Sequence, residues 1–381
     1  MKSYQFLGLI PSLLFPLFAH AARRCSEISL SVAASSQADD IVLPSLNLKD
    51  PNFVDGLLNS VVGGAGRVWP LIPVGDIFNI TAILCEPETY NDANAVQLLA
   101  HGATYNKLYW SGLGLPDDQA RQYDWTRFAN EKGYATLAID RLGSGNSSHA
   151  DPLLEVQATL EAEIIHGVVQ QLRDGKIGNK KFSKVAYVGH SMGSLIGMRA
   201  TQLHPQDFDA VILTGWSANF LENFPKIVAG ALLPASMAIP TRFANLNPLY
   251  LVLSVQKAVR HAFYGPDGSF DPAVEQYNWD HRDAVGTGEL VSILAGTTIT
   301  AYAGPVNVID GEYDAAFCSP GPKCARDPNT APVNTAPLFP DAKNFTYSLI
   351  PNTGHCLNLH FSADKTFASA HDFLNDNLSK A

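Results

Sequence analysis

The segment from Lys184 to Met198, KVAYVGHSMGSLIGM, narrows the possible folds more than any other stretch of the chain. An apolar run (Val185, Ala186, Tyr187, Val188) meets Gly189-His190-Ser191-Met192-Gly193, and apolar residues at helical spacing (Leu195, Ile196, Met198) follow at once. Ser191 therefore falls at a sharp strand-to-helix turn. Glycine on both sides suits a place where a Cβ would collide with the neighbouring strand or helix. The helix that starts there aims its free N–H groups and positive dipole end at the serine side chain.

The rest of the chain repeats the strand-then-helix alternation. Asp76 to Cys85 alternates apolar and polar residues as a half-buried strand does, and Ala95 to Ala100 reads as a fully buried one ending at His101-Gly102-Ala103-Thr104. Tyr134 to Ile139 is a further buried strand, closing on Asp140-Arg141-Leu142-Gly143-Ser144-Gly145-Asn146-Ser147, and residues 153–173 carry helical periodicity. After the Lys184 segment, whose helix reaches about Leu203, comes the strand Ala210 to Thr214. The alternation stops after Trp216. Residues 217–300 combine apolar positions (Phe220, Phe224, Ile227, Val228, Leu232, Leu233, Met237) with several prolines and a helix expected around Leu249 to Phe263, without a buried strand. Strands return at Pro305 to Ile309 and Phe345 to Ile350, and a helix over Ala363 to Leu378 closes the chain.

This order implies the α/β class: a mostly parallel central sheet with helices on both faces, formed by residues 76–216 and 301–381. Residues 217–300 are expected to form an inserted helical cap over a hydrophobic pocket, and residues 22–75 an N-terminal extension wrapping the core. Ligands of such sheets bind beyond the carboxyl ends of the strands. The runs 101–104, 140–147 and 189–193 each follow a strand, so they share one rim.

A serine hydroxyl is a weak nucleophile near neutrality; it needs a base to take its proton and a third group to orient that base. His355, in the Gly354-His355 turn after the last strand, is the candidate base. Asp314, after the preceding strand, is the candidate orienting acid, ahead of Asp310 and Glu312. The chain order Ser191, Asp314, His355 suits a turn of this kind. Backbone N–H groups of Met192 and Ala103 are the natural pair to receive a developing oxyanion, with His101 and Gly102 shaping the second loop. His190 is expected to point away from Ser191, and His166, His204, His261 and His281 fall in helical or cap segments as surface or core residues. Trp279-Asp280-His281-Arg282-Asp283 lacks further spaced ligands and reads as a polar cap segment, and Cys356 as a buried structural thiol. No metal or cofactor is expected.

Taken together, HGAT (101–104), DRLGSGNS (140–147), GHSMG (189–193), GEYD (311–314) and GH (354–355) make the chain resemble the α/β-hydrolase superfamily, specifically a secreted, capped, fungal-type member, from about Phe78 to Leu374. The resemblance implies Ser191 as nucleophile at an elbow flanked by Gly189 and Gly193, His355 as general base and acid, Asp314 as its orienting carboxylate, and an acyl-enzyme. The interval between Asp314 and His355 is longer than is usual, because of a Cys- and Pro-rich insert at 318–340. Serine at the elbow separates the chain from epoxide hydrolases and haloalkane dehalogenases, which carry aspartate there. The function expected is a serine hydrolase, esterase- or lipase-like, acting on carboxylic esters or lactones of a mainly apolar substrate. A second reading passes the acyl group to an alcohol, as an acyltransferase or cyclase of secondary metabolism. A peptidase would bring a separate propeller-type domain, and a non-catalytic binding protein on this scaffold usually lacks a triad member.

Met1 to Ala21 has Lys2, an apolar middle broken by Pro11 and Pro16, and Ala19-His20-Ala21, the pattern of a cleaved secretory signal peptide rather than a membrane anchor. Sequons at Asn79, Asn146, Asn344 and Asn377 fit export and glycosylation. Of five cysteines, Cys25 with Cys85 and Cys318 with Cys324 form the favoured pairing, leaving Cys356, although spacing alone permits others. A net charge of −10 without basic clusters argues against nucleic acid or anionic membrane as partners.

Overall fold

The computed structural model describes residues 24–43, 68–219, 232–292, 298–317 and 334–378, with isolated positions 56, 59 and 63. The expected leader, cap residues Phe220, Phe224, Ile227 and Val228, and Cys318 and Cys324 lie outside the described residues. No helix among the described residues is long and apolar enough to cross a membrane.

The main sheet has eight strands: β1 (Arg24–Asp39), β2 (Leu71–Glu86), β3 (Ala95–Ala100), β4 (Ala135–Ile139), β5 (Lys184–His190), β6 (Ala210–Thr214), β10 (Val306–Gly311) and β11 (Phe345–Ile350). Their spatial order is β1-β2-β4-β3-β5-β6-β10-β11. From β4 to β11 every neighbouring pair is parallel, while β1–β2 and β2–β4 are antiparallel. Parallel neighbours require crossovers, which α1 (Trp125–Glu131), α2 (Ala158–Asp174) and α3 (Met192–Leu203) supply. Strands β3, β4, β6 and β10 are buried at every residue, as strands covered on both faces must be. Helix α2 stops at Gly175, whose φ of +77° lets its N–H reach back to the Gln171 and Leu172 carbonyls.

Two regions differ from the sequence expectation. Residues 24–39 do not merely wrap the core; they form β1, paired along sixteen residues with β2. Cys25 lies opposite Cys85 in this ladder, and the two are joined as a disulfide. Within 217–300 the structure contains three short antiparallel strands, β7 (Leu232–Pro234), β8 (Tyr250–Leu253) and β9 (Val285–Gly286), so the expectation of a cap without strands fails. The helix expected from Leu249 begins only at Gln256, as α4 (Gln256–Phe263), and α5 (Pro272–His281) follows. Tyr250-Leu251-Val252-Leu253 is a fully buried run of four, too short for periodicity to separate strand from helix.

Beside the last helix, α6 (Ala363–Leu378), the rings of Trp110, Trp125 and Phe367 meet edge to face at 5.4 and 5.3 Å. A buried polar chain runs through the same layer. Trp125 Nε1 donates to Gln97 Oε1 (2.7 Å), the Gln97 amide meets His371 Nε2 (2.9 Å), and His371 Nδ1 meets the Phe367 carbonyl (2.7 Å). Burial holds His371 neutral, its pKa lowered to about 4.

Candidate active site

Strand β5 delivers Ser191 to the sheet rim, and α3 starts at the next residue. Ser191 has φ +53° and ψ −115°, a backbone conformation that a side-chain-bearing residue keeps only when its surroundings enforce it. Here they do. A Cβ on Gly193 would lie 2.2 Å from the Ala100 carbonyl oxygen, and one on Gly189 would lie 2.6 Å from the Gly193 carbonyl oxygen. Helix and strand therefore touch backbone to backbone, and the Ser191 N–H is fixed to the Thr214 carbonyl at 2.9 Å.

The loop after β3 passes directly beside the serine: a Cβ on Gly102 would fall 2.9 Å from Ser191 Cβ. Ala103 is half-buried in this loop, and Met192 begins α3, so its N–H has no acceptor within the helix. These two expected oxyanion donors thus lie on segments that adjoin Ser191.

His355 and Asp314 come together from the ends of β11 and β10. His355 Nδ1 and Asp314 Oδ2 are 2.7 Å apart, with side chains 2% and 0% exposed. A carboxylate only accepts, so Nδ1 carries the hydrogen, which in the neutral ring leaves the lone pair on Nε2. Asp314 Oδ1 accepts from the N–H groups of Ala316 (2.8 Å) and Phe317 (2.9 Å). Burial alone would raise the Asp314 pKa, but the His355 imidazole and these hydrogen bonds together bring it below the usual value. The His355 ring reaches the turn that holds Ser191: it lies 5.0 Å from the His190 ring, and a Cβ on Gly215 would be 3.2 Å from its Cε1. Phe317 stacks on it at 5.4 Å, and Phe263 of α4 packs against it at 5.0 Å. The segment 217–300 also reaches the rim through Asp283 N–H, which donates to the Thr104 carbonyl at 2.7 Å.

The two rival acids separate cleanly. Asp310 is fully buried, and burial together with the neighbouring Asp314 charge holds its carboxyl well above the usual range. It therefore stays neutral and shares a hydrogen bond with Asp314. Glu312 accepts from the Asn352 N–H at 3.0 Å. His190 stacks on Tyr109 (ring centroids 4.4 Å, 11° between planes) and lies 3.2 Å from Thr214 Oγ1.

Sequence reasoning missed a buried cluster behind the 101–104 loop. Arg141 Nε donates to the His101 carbonyl (2.8 Å), and Arg141 N–H donates to His101 Nε2 (3.1 Å). His101 is consequently protonated at Nδ1, 2.8 Å from the Gly102 carbonyl; burial, then the Arg141 charge, lowers its pKa to about 3. The guanidinium also bonds Glu161 (2.8 Å) and Glu289, both buried. Burial raises the pKa of each of these carboxyls. The available signal was a charged residue, Arg141, directly after a fully buried strand.

Other expected sites fall elsewhere. Asn79, Asn146 and Asn344 are exposed, whereas Asn377 lies within α6 and accepts from the Asn344 amide at 3.3 Å. Cys356 is a buried free thiol 2.8 Å from Tyr105 Oη. His281 ends α5, and Trp279 lies within it.

A model of the alpha/beta hydrolase family matches residues 97–370. The chain belongs to the alpha/beta hydrolase family. Solved structures with the same fold include an esterase from Thermogutta terrifontis (TM-score 0.53, 14% identity, 78% of this chain and 94% of that one). A bromoperoxidase from Bacillus anthracis is similar as well (0.52, 19%, 79% and 97%), as is an esterase from Exiguobacterium antarcticum (0.53, 15%, 79% and 97%). At the level of sequence, no curated protein matches this alpha/beta hydrolase.

Proposed function

We propose that this alpha/beta hydrolase is a secreted serine hydrolase that cleaves carboxylic esters or lactones of a mainly apolar substrate. Ser191 Oγ attacks the acyl carbon while His355 Nε2 takes its proton, and Asp314 holds the imidazole in the required tautomer and stabilises its charged form. The N–H groups of Met192 and Ala103 receive the oxyanion, each worth about 3 kcal/mol of barrier. Collapse of the tetrahedral species returns the proton through His355 to the leaving alkoxide and leaves an acyl-enzyme, which a water activated by His355 resolves.

The observation that carries this reading is a strained serine at the strand-to-helix turn, with a histidine packed against that turn whose Nδ1 is already engaged by a buried aspartate. Phe263 and Phe317 beside the imidazole favour an apolar acyl or alcohol group. Secretion is supported by the Met1–Ala21 pattern, by exposed sequon asparagines and by the Cys25–Cys85 disulfide, a bond typical of oxidising compartments.

The test is labelling of the purified protein with a fluorophosphonate probe beside turnover of a short and a long p-nitrophenyl ester. Labelling at Ser191 with ester turnover is the expected result. Labelling without turnover moves the assignment to an acyltransferase or cyclase, and no labelling removes the nucleophile.

A further inference from the structure

Two turns of sequence on neighbouring elements place a second set of imidazoles and carboxylates together, away from the rim. Glu163 and His166 lie one turn apart on α2; His204 follows the last residue of α3, and Asp207 lies three residues further, its N–H held by the His204 carbonyl at 3.1 Å. The two imidazoles stack face to face with centroids 3.8 Å apart and planes 15° apart. His166 Nδ1 meets Asp207 Oδ2 at 2.8 Å, and His204 Nε2 meets Glu163 Oε2 at 3.0 Å. A ring nitrogen from each histidine and a carboxylate oxygen of Asp207 all lie within 4.8 Å of one another.

We propose that His166, His204 and Asp207 form a binding site for a divalent transition-metal ion of the zinc class, with Glu163 as the carboxylate that orients His204. The donor set is the one such ions take, imidazole nitrogen with carboxylate oxygen. Two carboxylates face two imidazoles, and a single dication would serve the nitrogens of His166 and His204 and the Asp207 carboxylate at one point. Of the nearby arginines, Arg199 also attracts the Glu163 carboxylate. Arg173 bonds the Asp207 carbonyl (2.6 Å) and Asp209 (2.9 Å), and Arg199 bonds Gln202 (3.1 Å).

The fit is close. Tetrahedral bonds of about 2.0–2.1 Å set ligand atoms about 3.3 Å apart. The His166–Asp207 contact must therefore open by about half an ångström, and the remaining separations, none above 4.8 Å, close by about 1.5 Å at most. Such movements are open to side chains that are partly exposed, as His166 (33%) and His204 (24%) are. Ligation also asks that the ring nitrogen facing the ion carry no hydrogen, which a neutral imidazole meets by holding it on the other nitrogen. The site stands at the far end of α3 from Ser191, about 20 Å along the helix. Its role is therefore to tie α2 to the α3–β6 turn, and it takes no part in the chemistry at the rim.

The test is titration of untagged full-length protein, stripped of metal by a chelator, with Co(II) and then Zn(II). One Co(II) per chain is expected, with visible d–d absorption that Zn(II) displaces, and a higher thermal midpoint with Zn(II) bound. His166→Ala and His204→Ala, checked for folding by circular dichroism, should each weaken Zn(II) binding more than about 100-fold, and Glu163→Gln by about 10–100-fold. Ser191→Ala and His355→Ala should bind like the unaltered protein. Absence of stoichiometric binding overturns the proposal, as does binding that survives the His166→Ala/His204→Ala double variant or disappears in His355→Ala. Because the readout is metal binding, its failure leaves the serine hydrolase reading untouched, and the reverse also holds.

Discussion

Among the described residues, two histidine–aspartate contacts have nearly equal length and opposite surroundings. His355 meets Asp314 at 2.7 Å with both side chains at most 2% exposed, whereas His166 meets Asp207 at 2.8 Å with the histidine 33% exposed. Residue type and distance do not distinguish them. The first is buried among aromatic rings, its aspartate already has two backbone N–H donors on the other oxygen, and its imidazole packs against the serine turn. The second has a stacked imidazole beside it and a further carboxylate within reach. A closed pair with one outlet suits proton transfer, and an open group of several donors suits a cation. The surroundings decide what a histidine–aspartate contact does.

The largest expected effect tests the closed side. Ser191→Ala should lower kcat/KM for the best ester by about 10^4-fold or more with the fold intact, and adding His355→Ala should cost little further, because the residues act as a unit. A simple product of the two single losses would break the pairing of their roles. Asp314→Asn should follow at about 10^3–10^4-fold, while Asp207→Asn changes turnover by less than about twofold; equal losses in the two variants would erase the contrast between the sites.

Stability separates dry from wet charges in the same way. Arg141→Met strands buried Glu161 and Glu289 and should cost about 3–5 kcal/mol in denaturant unfolding. Arg127→Met, which breaks a pair with the exposed Glu131, should cost no more than about 0.5 kcal/mol. Between these two lies a pH effect from the buried neutral histidines. His360 and His371 both have pKa values lowered to about 4, chiefly by burial. The unfolded chain takes up their protons below about pH 6.5 and the folded protein does not. Stability is therefore complete above about pH 6.5 and falls as pH drops toward 4, by about 2 kcal/mol per histidine at pH 5. His371→Leu should flatten this acid slope in thermal melts; an unchanged slope would show that the histidine is already charged in the fold.

Much of the frame was legible: β3 and β6, buried on both faces, leave runs of apolar residues, and with β11 and α6 they lie where the sequence pattern placed them. Asp314 and His355 were legible for a related reason, since they lie three and five residues past the ends of β10 and β11. Strand β1 was not, because an edge strand needs only one covered face and here uses small residues, SLSVAASS, that do not alternate strongly in hydropathy. The cap strands are two to four residues long, below any period. The Arg141 cluster and the His166–His204 stack assemble residues far apart in the chain, and no local pattern reports them.

The Cys25–Cys85 bridge spans sixty residues of chain and sits at one end of the β1–β2 ladder. A protease that cuts one peptide bond anywhere between the two cysteines therefore produces two fragments still joined through sulfur and through the ladder. Such a nicked molecule would migrate as one piece until a reductant is added. A chain built this way tolerates internal clipping without losing its first strand.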